Sequence, residues 1–312
     1  MTRDAVVPVL RSGVLAQEFC RSVARANVEA VFERCFYLRG GEEFICVGGA
    51  DIGDGPLTLI GNLGRLSDFQ LQPGWPAAVC ERHIVIGKSM RLTLDETESW
   101  HSPAWPICLS PAGLTDTCAA LARRAAFEAP EEGLARHGVG VPETSGHHPP
   151  LARIARPRIA VFERWLSGVL DAGHARLQDS KEAAEALIGL GPGLTPSGDD
   201  FLVGALALLD AIGERHAHAA LARAITDALP GLTAPLSACL LRAAAAGQVG
   251  EALHRAVSSV ITGDVDAAAA AAGQIGHSSG WDMMAGVMTA LGIAVAARLE
   301  TPPTAAQALA LS

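Results

Sequence analysis

Residues 189–200 have the sequence Gly-Leu-Gly-Pro-Gly-Leu-Thr-Pro-Ser-Gly-Asp-Asp, with four glycines and two prolines. A helix cannot run through such a segment, because each glycine costs about 1 kcal/mol and each proline about 3 kcal/mol in a helix interior. Apolar residues with helical spacing lie on both sides, so the chain leaves one helix, crosses a loop and begins another. Such a loop exposes backbone amides and leads into a helix N-terminus, where an anion is favoured.

The start of that second helix is repeated downstream. Thr-Pro-Ser-Gly-Asp-Asp-Phe-Leu-Val-Gly at residues 195–204 matches His-Ser-Ser-Gly-Trp-Asp-Met-Met-Ala-Gly at residues 277–286. Glycine ends both segments, at Gly204 and Gly286, and glycine inside a helix allows a neighbouring helix to approach closely. We therefore expect the two Ser-Gly-x-Asp starts to share one mouth of the helical region, with Ser197 within about one ligand's width of its counterpart.

The two helix starts also have a purely structural interpretation. Serine followed three residues later by aspartate has the spacing of a capping box, which stabilises a helix by about 1 kcal/mol. An anion beside a carboxylate would lose about 4 kcal/mol at an effective dielectric of about 20. We therefore expect Asp200 and Asp282 to be inward-facing caps, with a cation such as Mg²⁺ as the alternative, bridging them to a ligand or bound at Asp199.

Capping does not explain the stiff Gly-Pro-Gly approach, nor Thr195 and His277. Hydroxyl groups and backbone amides at both starts could hold a phosphate or a carboxylate, and His277 is the candidate catalytic acid or base. The candidate substrate-binding or anion-binding residues are Gly191, Gly193, Thr195, Ser197, Gly198, Asp199, Ser279 and Gly280.

The hydrophobic pattern predicts an α+β protein. Short segments rich in β-branched and aromatic residues, separated by glycine turns, predict an antiparallel sandwich or barrel, and an alanine-rich helical pattern follows. The expected strands are 30–38, 43–47, 56–60, 83–87 and 90–94. The expected helices are 115–129, 158–177, 181–188, 199–212, 218–229, 234–246, 250–261, 265–275 and 282–298. The expected domains are a β-rich domain over 1–112, a helix with a long connecting loop over 113–157, and an α-helical domain over 158–312.

Composition excludes some classes of function. The net charge of −9 argues against nucleic-acid binding, which needs a basic surface to neutralise phosphates. The seven cysteines have no C-x-x-C or zinc-ligand spacing and are expected to be reduced thiols, most of them buried. No apolar signal segment occurs at the N-terminus, and the apolar stretch 283–297 is shorter than the roughly 20 residues that a bilayer requires. We expect a cytoplasmic protein without a membrane span.

The segment 189–202 resembles the signature of the AllH-like family, the subunit of ureide-pathway oxamate carbamoyltransferase that was first catalogued as a domain of unknown function. Gly-His-Ser-Ser-Gly-Trp-Asp at 276–282 and Gly-Asp-Gly-Pro-Leu at 53–57 are similar to further features of that family. The resemblance implies purine degradation, in which oxalurate and phosphate are converted to oxamate and carbamoyl phosphate. It implies FdrA-like and other subunits as partners, and it assigns no catalytic residue.

Two other functions remain open from the sequence. A metal-dependent hydrolase of amide or phosphoester bonds could use Asp199, Asp200 and Asp282. A scaffold or regulatory subunit could bind an anion without converting it. Both use the same pair of helix starts as the transferase interpretation.

Overall fold

The structure is a computed structural model that describes residues 5–88, 90–137, 149–172 and 176–300. The chain forms two compact units. The first contains Met1–Ala104 and Ala238–His254, and the second contains Trp105–Ser237 and Arg255–Ser312.

The first unit contains a barrel of eight strands with one additional strand. The strands are β1 (Ala5–Gly13), β2 (Arg25–Val31), β3 (Cys35–Gly40), β4 (Glu43–Gly48), β5 (Thr58–Gly61), β6 (Pro76–Cys80), β7 (His83–Ile86), β8 (Met90–Thr93) and β9 (Glu98–Trp100). Their order is β5-β4-β3-β2-β6-β7-β8-β1-β9, and pairing of β1 with β5 closes the barrel. Closure leaves the eight strands without a free edge.

The side chains of alternate residues in each strand point inward and fill the barrel interior. In β7 the buried side chains are Ile84 and Ile86, and in β3 they are Phe36 and Leu38, followed by the buried Gly40; the four side chains are fully enclosed. Because successive side chains of a strand point to opposite faces, these pairs place one apolar row on the inside of each strand. The helix α1 (Val14–Ser22), which the sequence pattern did not predict, packs its buried face of Ala16, Phe19 and Cys20 into the same core.

Two sequence expectations for the barrel need correction. Residues 30–38 are not one strand, because the exposed pair Glu33 and Arg34 forms the turn between antiparallel β2 and β3. The barrel is also not purely antiparallel, since β1 runs parallel to β8 and β9, and β4 runs parallel to β5. Parallel pairing requires longer connections: residues 49–57 join β4 to β5, and six strands lie between β1 and β8 along the chain.

The helices that follow agree closely with the periodic pattern. They are α2 (Pro111–Glu128), α3 (Pro150–Ala172), α4 (Leu177–Glu185), α5 (Ser197–Ala211), α6 (Arg215–Ala228), α7 (Pro235–Ala245), α8 (Glu251–Thr262), α9 (Val265–Ala272) and α10 (Ser279–Glu300). The barrel and the helices together confirm an α+β protein.

Helix α3 begins eight residues earlier than the pattern predicted, because Pro157 lies inside the helix instead of before it. An interior proline costs about 3 kcal/mol. The buried side chains of Phe162, Trp165 and Leu166 on the same helix offset that cost through their packing. The expected connecting loop is therefore shorter, and its residues 138–148 lie outside the described part of the chain.

Helix α10 is longer than the apolar stretch in the sequence suggested. Over Ser279–Arg298 it is long and apolar enough to cross a membrane, contrary to the length argument. However, 78% of its apolar window is buried inside the protein, as expected of a core helix. Burial, and not length, is therefore what distinguishes this helix from a membrane span.

All seven cysteines are free thiols, in agreement with the prediction. The expectation that most of them are buried is wrong. Cys20, Cys46 and Cys239 are buried, Cys80 is exposed, and the remaining three are half-buried.

Candidate functional site

The two repeated helix starts meet, because the helices that follow them cross at the paired glycines. A Cβ atom on Gly204 would overlap the carbonyl group of Met283 in α10, lying 2.6 Å from its carbon. A Cβ atom on Gly286 would overlap the carbonyl group of Phe201 in α5, lying 2.8 Å from its carbon. Each helix therefore rests on the backbone of the other, and the predicted close approach is confirmed.

The loop before α5 touches the start of α10 directly. The Oγ1 atom of Thr195 lies 3.1 Å from the Oγ atom of Ser279, so one hydroxyl group donates to the other. Thr195 and Ser279 are both half-buried, whereas Gly193 and Leu194 on the same loop are exposed. The expectation that the two starts share one mouth is confirmed, and we refer to Thr195, Ser279 and the loop 191–194 as the paired mouth.

Behind the paired mouth, each serine faces the aspartate of the other repeat. The Ser279 hydroxyl lies against the Asp200 carboxyl group, and the Ser197 hydroxyl lies against the Asp282 carboxyl group. Burial raises the pKa of both carboxyl groups, and the serine contacts oppose this only in part. The charge of Asp282 raises the pKa of Asp200 further, so the two carboxyl groups are close enough to interact.

The inward-facing orientation expected of Asp200 and Asp282 agrees with their burial, and their role as helix caps stays a prediction. The N-cap residue of α5 is Pro196, whose nitrogen carries no hydrogen for a capping box and whose side chain makes no cap hydrogen bond. Asp282 instead uses Oδ1 to accept a hydrogen bond of 2.6 Å from the Leu134 amide. That carboxylate therefore fastens the segment after α2 to the start of α10.

The sequence pattern did not identify the segment that Asp282 binds. A Cβ atom on Gly133 would lie 2.8 Å from Oδ1 of Asp282, so only glycine leaves room for the carboxylate at this place. One glycine between Glu132 and Leu134 in a loop gives no periodic signal in the sequence. Its function becomes visible only once the partner carboxylate is placed.

Asp199 is an anchor for the glycine-rich loop. Its Oδ1 atom accepts a hydrogen bond of 2.7 Å from the Gly189 amide, and its Oδ2 atom accepts from the hydroxyls of Thr233 and Ser237. The carboxyl group is fully buried, and burial raises its pKa against the effect of these three donors. Both oxygens are thus engaged within the protein, and the roles of Asp199 as an anion-binding side chain or a cation ligand stay predictions.

The amides of Gly198 and Gly280 are also engaged within the protein. The Gly198 amide donates to the Leu190 carbonyl at 2.8 Å, and the Gly280 amide donates to the Ile275 carbonyl at 2.9 Å. The Asp199 amide similarly donates to the Pro196 carbonyl. These three amides do not form the anion-binding nest that the sequence suggested, because the turn before each helix consumes them.

Gly198 and Gly280 are also needed for packing, and the packing is the same in the two repeats. A Cβ atom on Gly198 would lie 2.8 Å from the Leu190 side chain and would overlap the Leu187 carbonyl oxygen. A Cβ atom on Gly280 would lie 3.0 Å from the Ile275 side chain and would overlap the Ala272 carbonyl oxygen. The repeat is therefore a repeated packing unit, in which the end of one helix lies directly on the start of the next.

The remaining candidates line the mouth. Gly191 and Gly193 have φ values of 115° and 95°, which other residues rarely adopt, and their amides donate to no backbone acceptor among the described residues. His277 is exposed two residues before Ser279. The binding role of Gly191, Gly193, Thr195, Ser197 and Ser279 and the catalytic role of His277 stay predictions.

Metal binding by a trio of side chains finds no support in the described part of the chain. No three histidine, cysteine, aspartate or glutamate side chains there lie close enough together to hold a metal ion. The trio of Asp199, Asp200 and Asp282 on which a hydrolase would depend is not assembled, because Asp199 is directed to Gly189, Thr233 and Ser237.

The fold and the junction define an α+β protein whose helical part carries a composite mouth built from two copies of one helix start. A family model described as oxamate carbamoyltransferase subunit AllH matches residues 187–291, about a third of the chain. That segment contains both helix starts and excludes the barrel. This match supports the resemblance to the AllH-like family over that segment. No curated protein and no solved structure matches it.

Proposed function

We propose that this chain is one subunit of a carbamoyltransferase-type assembly that acts on ureide-derived anions, converting oxalurate and phosphate to oxamate and carbamoyl phosphate or acting on a related amide. The observation that carries the proposal is the 3.1 Å contact between Thr195 and Ser279, which joins the two repeats inside the segment that matches the AllH family. The family name supports a transferase with several subunits. FdrA-like and other carbamoyltransferase subunits are the proposed partners, in the cytoplasm.

The paired mouth offers hydrogen-bond donors suited to an oxyanion. The hydroxyls of Thr195 and Ser279 can turn outward once a ligand replaces their mutual hydrogen bond. The amides of Gly191 and Gly193 lie on the half-buried to exposed part of the loop. The N-termini of α5 and α10 both begin at this mouth, and each contributes a partial positive charge.

His277 has the position of a proton donor or acceptor for this mouth. It is exposed and precedes α10 by two residues, at the place where Thr195 stands in the first repeat. Departure of the oxamate nitrogen from a carbamoyl group requires a proton, and histidine can supply one near neutral pH. The repeat thus pairs a hydroxyl group on one side of the mouth with an imidazole on the other.

Replacement of Thr195 by valine tests the proposed mouth. Valine keeps the branched shape but removes the hydroxyl donor, and a hydrogen bond to a charged group contributes about 1.5–3 kcal/mol. We expect Thr195→Val to weaken binding of phosphate, oxalurate, oxamate or carbamoyl phosphate about tenfold or more, measured by isothermal titration calorimetry of the full chain.

Thr226→Val is the matched control, because Thr226 is exposed on α6 and its hydroxyl donates only to the Ala222 carbonyl of its own helix. It should leave ligand affinity unchanged. If none of the four anions binds to the wild-type chain, with or without Mg²⁺ and the partner subunits, the proposed function is wrong.

A further inference from the structure

Two carboxylate oxygens behind the paired mouth lack the donors that buried carboxylates normally have. Asp200 is 1% exposed and Asp282 is fully buried. The Oδ2 atom of each accepts no hydrogen bond within the described residues. A buried oxygen without a donor is expensive, by about 1–3 kcal/mol for a neutral group and more for a charged one. The folded chain therefore holds two unsatisfied acceptors, on carboxyl groups close enough for the charge of Asp282 to raise the pKa of Asp200.

The surroundings of these oxygens are rich in further oxygen atoms. The Ser279 hydroxyl lies against Asp200, and the hydroxyls of Ser197 and Ser278 lie against Asp282. The charged groups that raise the pKa of Asp200 are two more carboxylates, those of Asp282 and Asp199. The ion pairs formed among the described residues include neither Asp200 nor Asp282.

We propose that a hard divalent cation of the Mg²⁺ class binds between Asp200 and Asp282, with the Ser197 and Ser279 hydroxyls beside it. All of these donor atoms are oxygens, which is the ligand type that Mg²⁺ prefers. A magnesium site uses one or two carboxylates and keeps waters or phosphate oxygens at its other positions, so a third acidic side chain is not required. Each repeat supplies one carboxylate and one hydroxyl to the site. Cation binding therefore explains why the helix start occurs twice.

The cation also resolves an electrostatic conflict within the proposed function. A phosphate about 4 Å from one carboxylate is disfavoured by about 4 kcal/mol at an effective dielectric of about 20, and two carboxylates lie behind this mouth. A helix N-terminus stabilises a bound anion by at most about 2 kcal/mol, which does not offset that repulsion. A divalent cation between the carboxylates and the anion reverses the sign of the local field. The inference deepens the proposed function at the same site, but cation binding itself does not depend on transferase activity.

Titration of the full-length chain with magnesium chloride or manganese chloride, without any anion, tests the site. We expect both ions to bind in calorimetry and to raise the melting temperature. Removal of a group that only orients a metal ligand typically costs 10–100-fold in affinity, so Asp200→Asn and Asp282→Asn, which each remove a ligand, should cost about as much or more. Ser279→Ala, which changes less of the buried packing, should weaken binding several-fold.

Asp179→Asn is the control, since Asp179 is exposed on α4 and should leave cation affinity unchanged. Absence of Mg²⁺ and Mn²⁺ binding to the wild-type chain overturns the inference, as does unchanged affinity in the folded Asp200→Asn and Ser279→Ala variants. Cation binding without any anion binding would retain the cation site and reject the proposed function. Anion binding with an affinity that neither cation changes would retain the proposed function and reject the cation site.

Discussion

Gly204→Ala and Gly286→Ala are each expected to destabilise the chain by roughly 3–5 kcal/mol, a larger loss than overpacking usually causes. The added Cβ atom would overlap a backbone carbonyl group of the facing helix, that of Met283 or that of Phe201. A backbone atom cannot move aside by changing rotamer, so α5 and α10 would have to separate along their length. Chemical denaturation followed by circular dichroism measures the loss.

Helix α10 contains its own control for this prediction. Among the described residues, a Cβ atom on Gly292 would meet the Cys118 sulfur alone, at an ordinary 4.0 Å. Gly292→Ala should therefore be neutral or stabilise the chain by up to about 1 kcal/mol, because alanine is the better helix former. If Gly204→Ala and Gly286→Ala are as mild as Gly292→Ala, the two helices do not cross at these glycines and the composite mouth is not formed.

The second large effect is expected at Asp199. Asp199→Ala removes the acceptor for the Gly189 amide and for the hydroxyls of Thr233 and Ser237. Ser237 is buried, whereas Gly189 and Thr233 are half-buried. A buried donor left without a partner costs about 1–3 kcal/mol, the two half-buried donors cost less, and removal of a buried carboxyl group returns part of the total, so we expect a net loss of about 2 kcal/mol. Thermal and urea denaturation measure it.

Loss of this anchor should also affect ligand binding, because Asp199 fixes the beginning of the loop that carries Thr195. Asp227→Ala is the control for stability, since Asp227 is exposed on α6 and, among the described residues, pairs with Arg223 of the same helix. That variant should lie within about 0.5 kcal/mol of wild type. An Asp199→Ala variant as stable as Asp227→Ala would show that the three hydrogen bonds do not hold the loop.

Local patterns predicted the helices well and the barrel less completely. Alanine-rich segments with apolar spacing near 3.6 and with glycine or proline at their ends gave α2 and α4–α10 to within a few residues, because helical hydrogen bonds are local. Strand β1 was missed, since Pro8 lies in its middle and proline argues against a strand. Its pairing with β5 and β8 depends on residues 47 to 85 positions away, and no local pattern records such partners.

The sequence by itself determined that two copies of one helix start exist, and that Gly204 and Gly286 bring their helices together. Both follow from residue identity at matching positions and from the space that a missing side chain leaves. Only the tertiary structure decided how the polar groups of those starts are used. It directed each aspartate to the serine of the other repeat, gave Asp199 to Thr233 and Ser237, and used the Gly198 and Gly280 amides in turns. A short polar side chain or a free amide has several partners within reach, and the choice among them depends on which backbone segments the fold brings beside it.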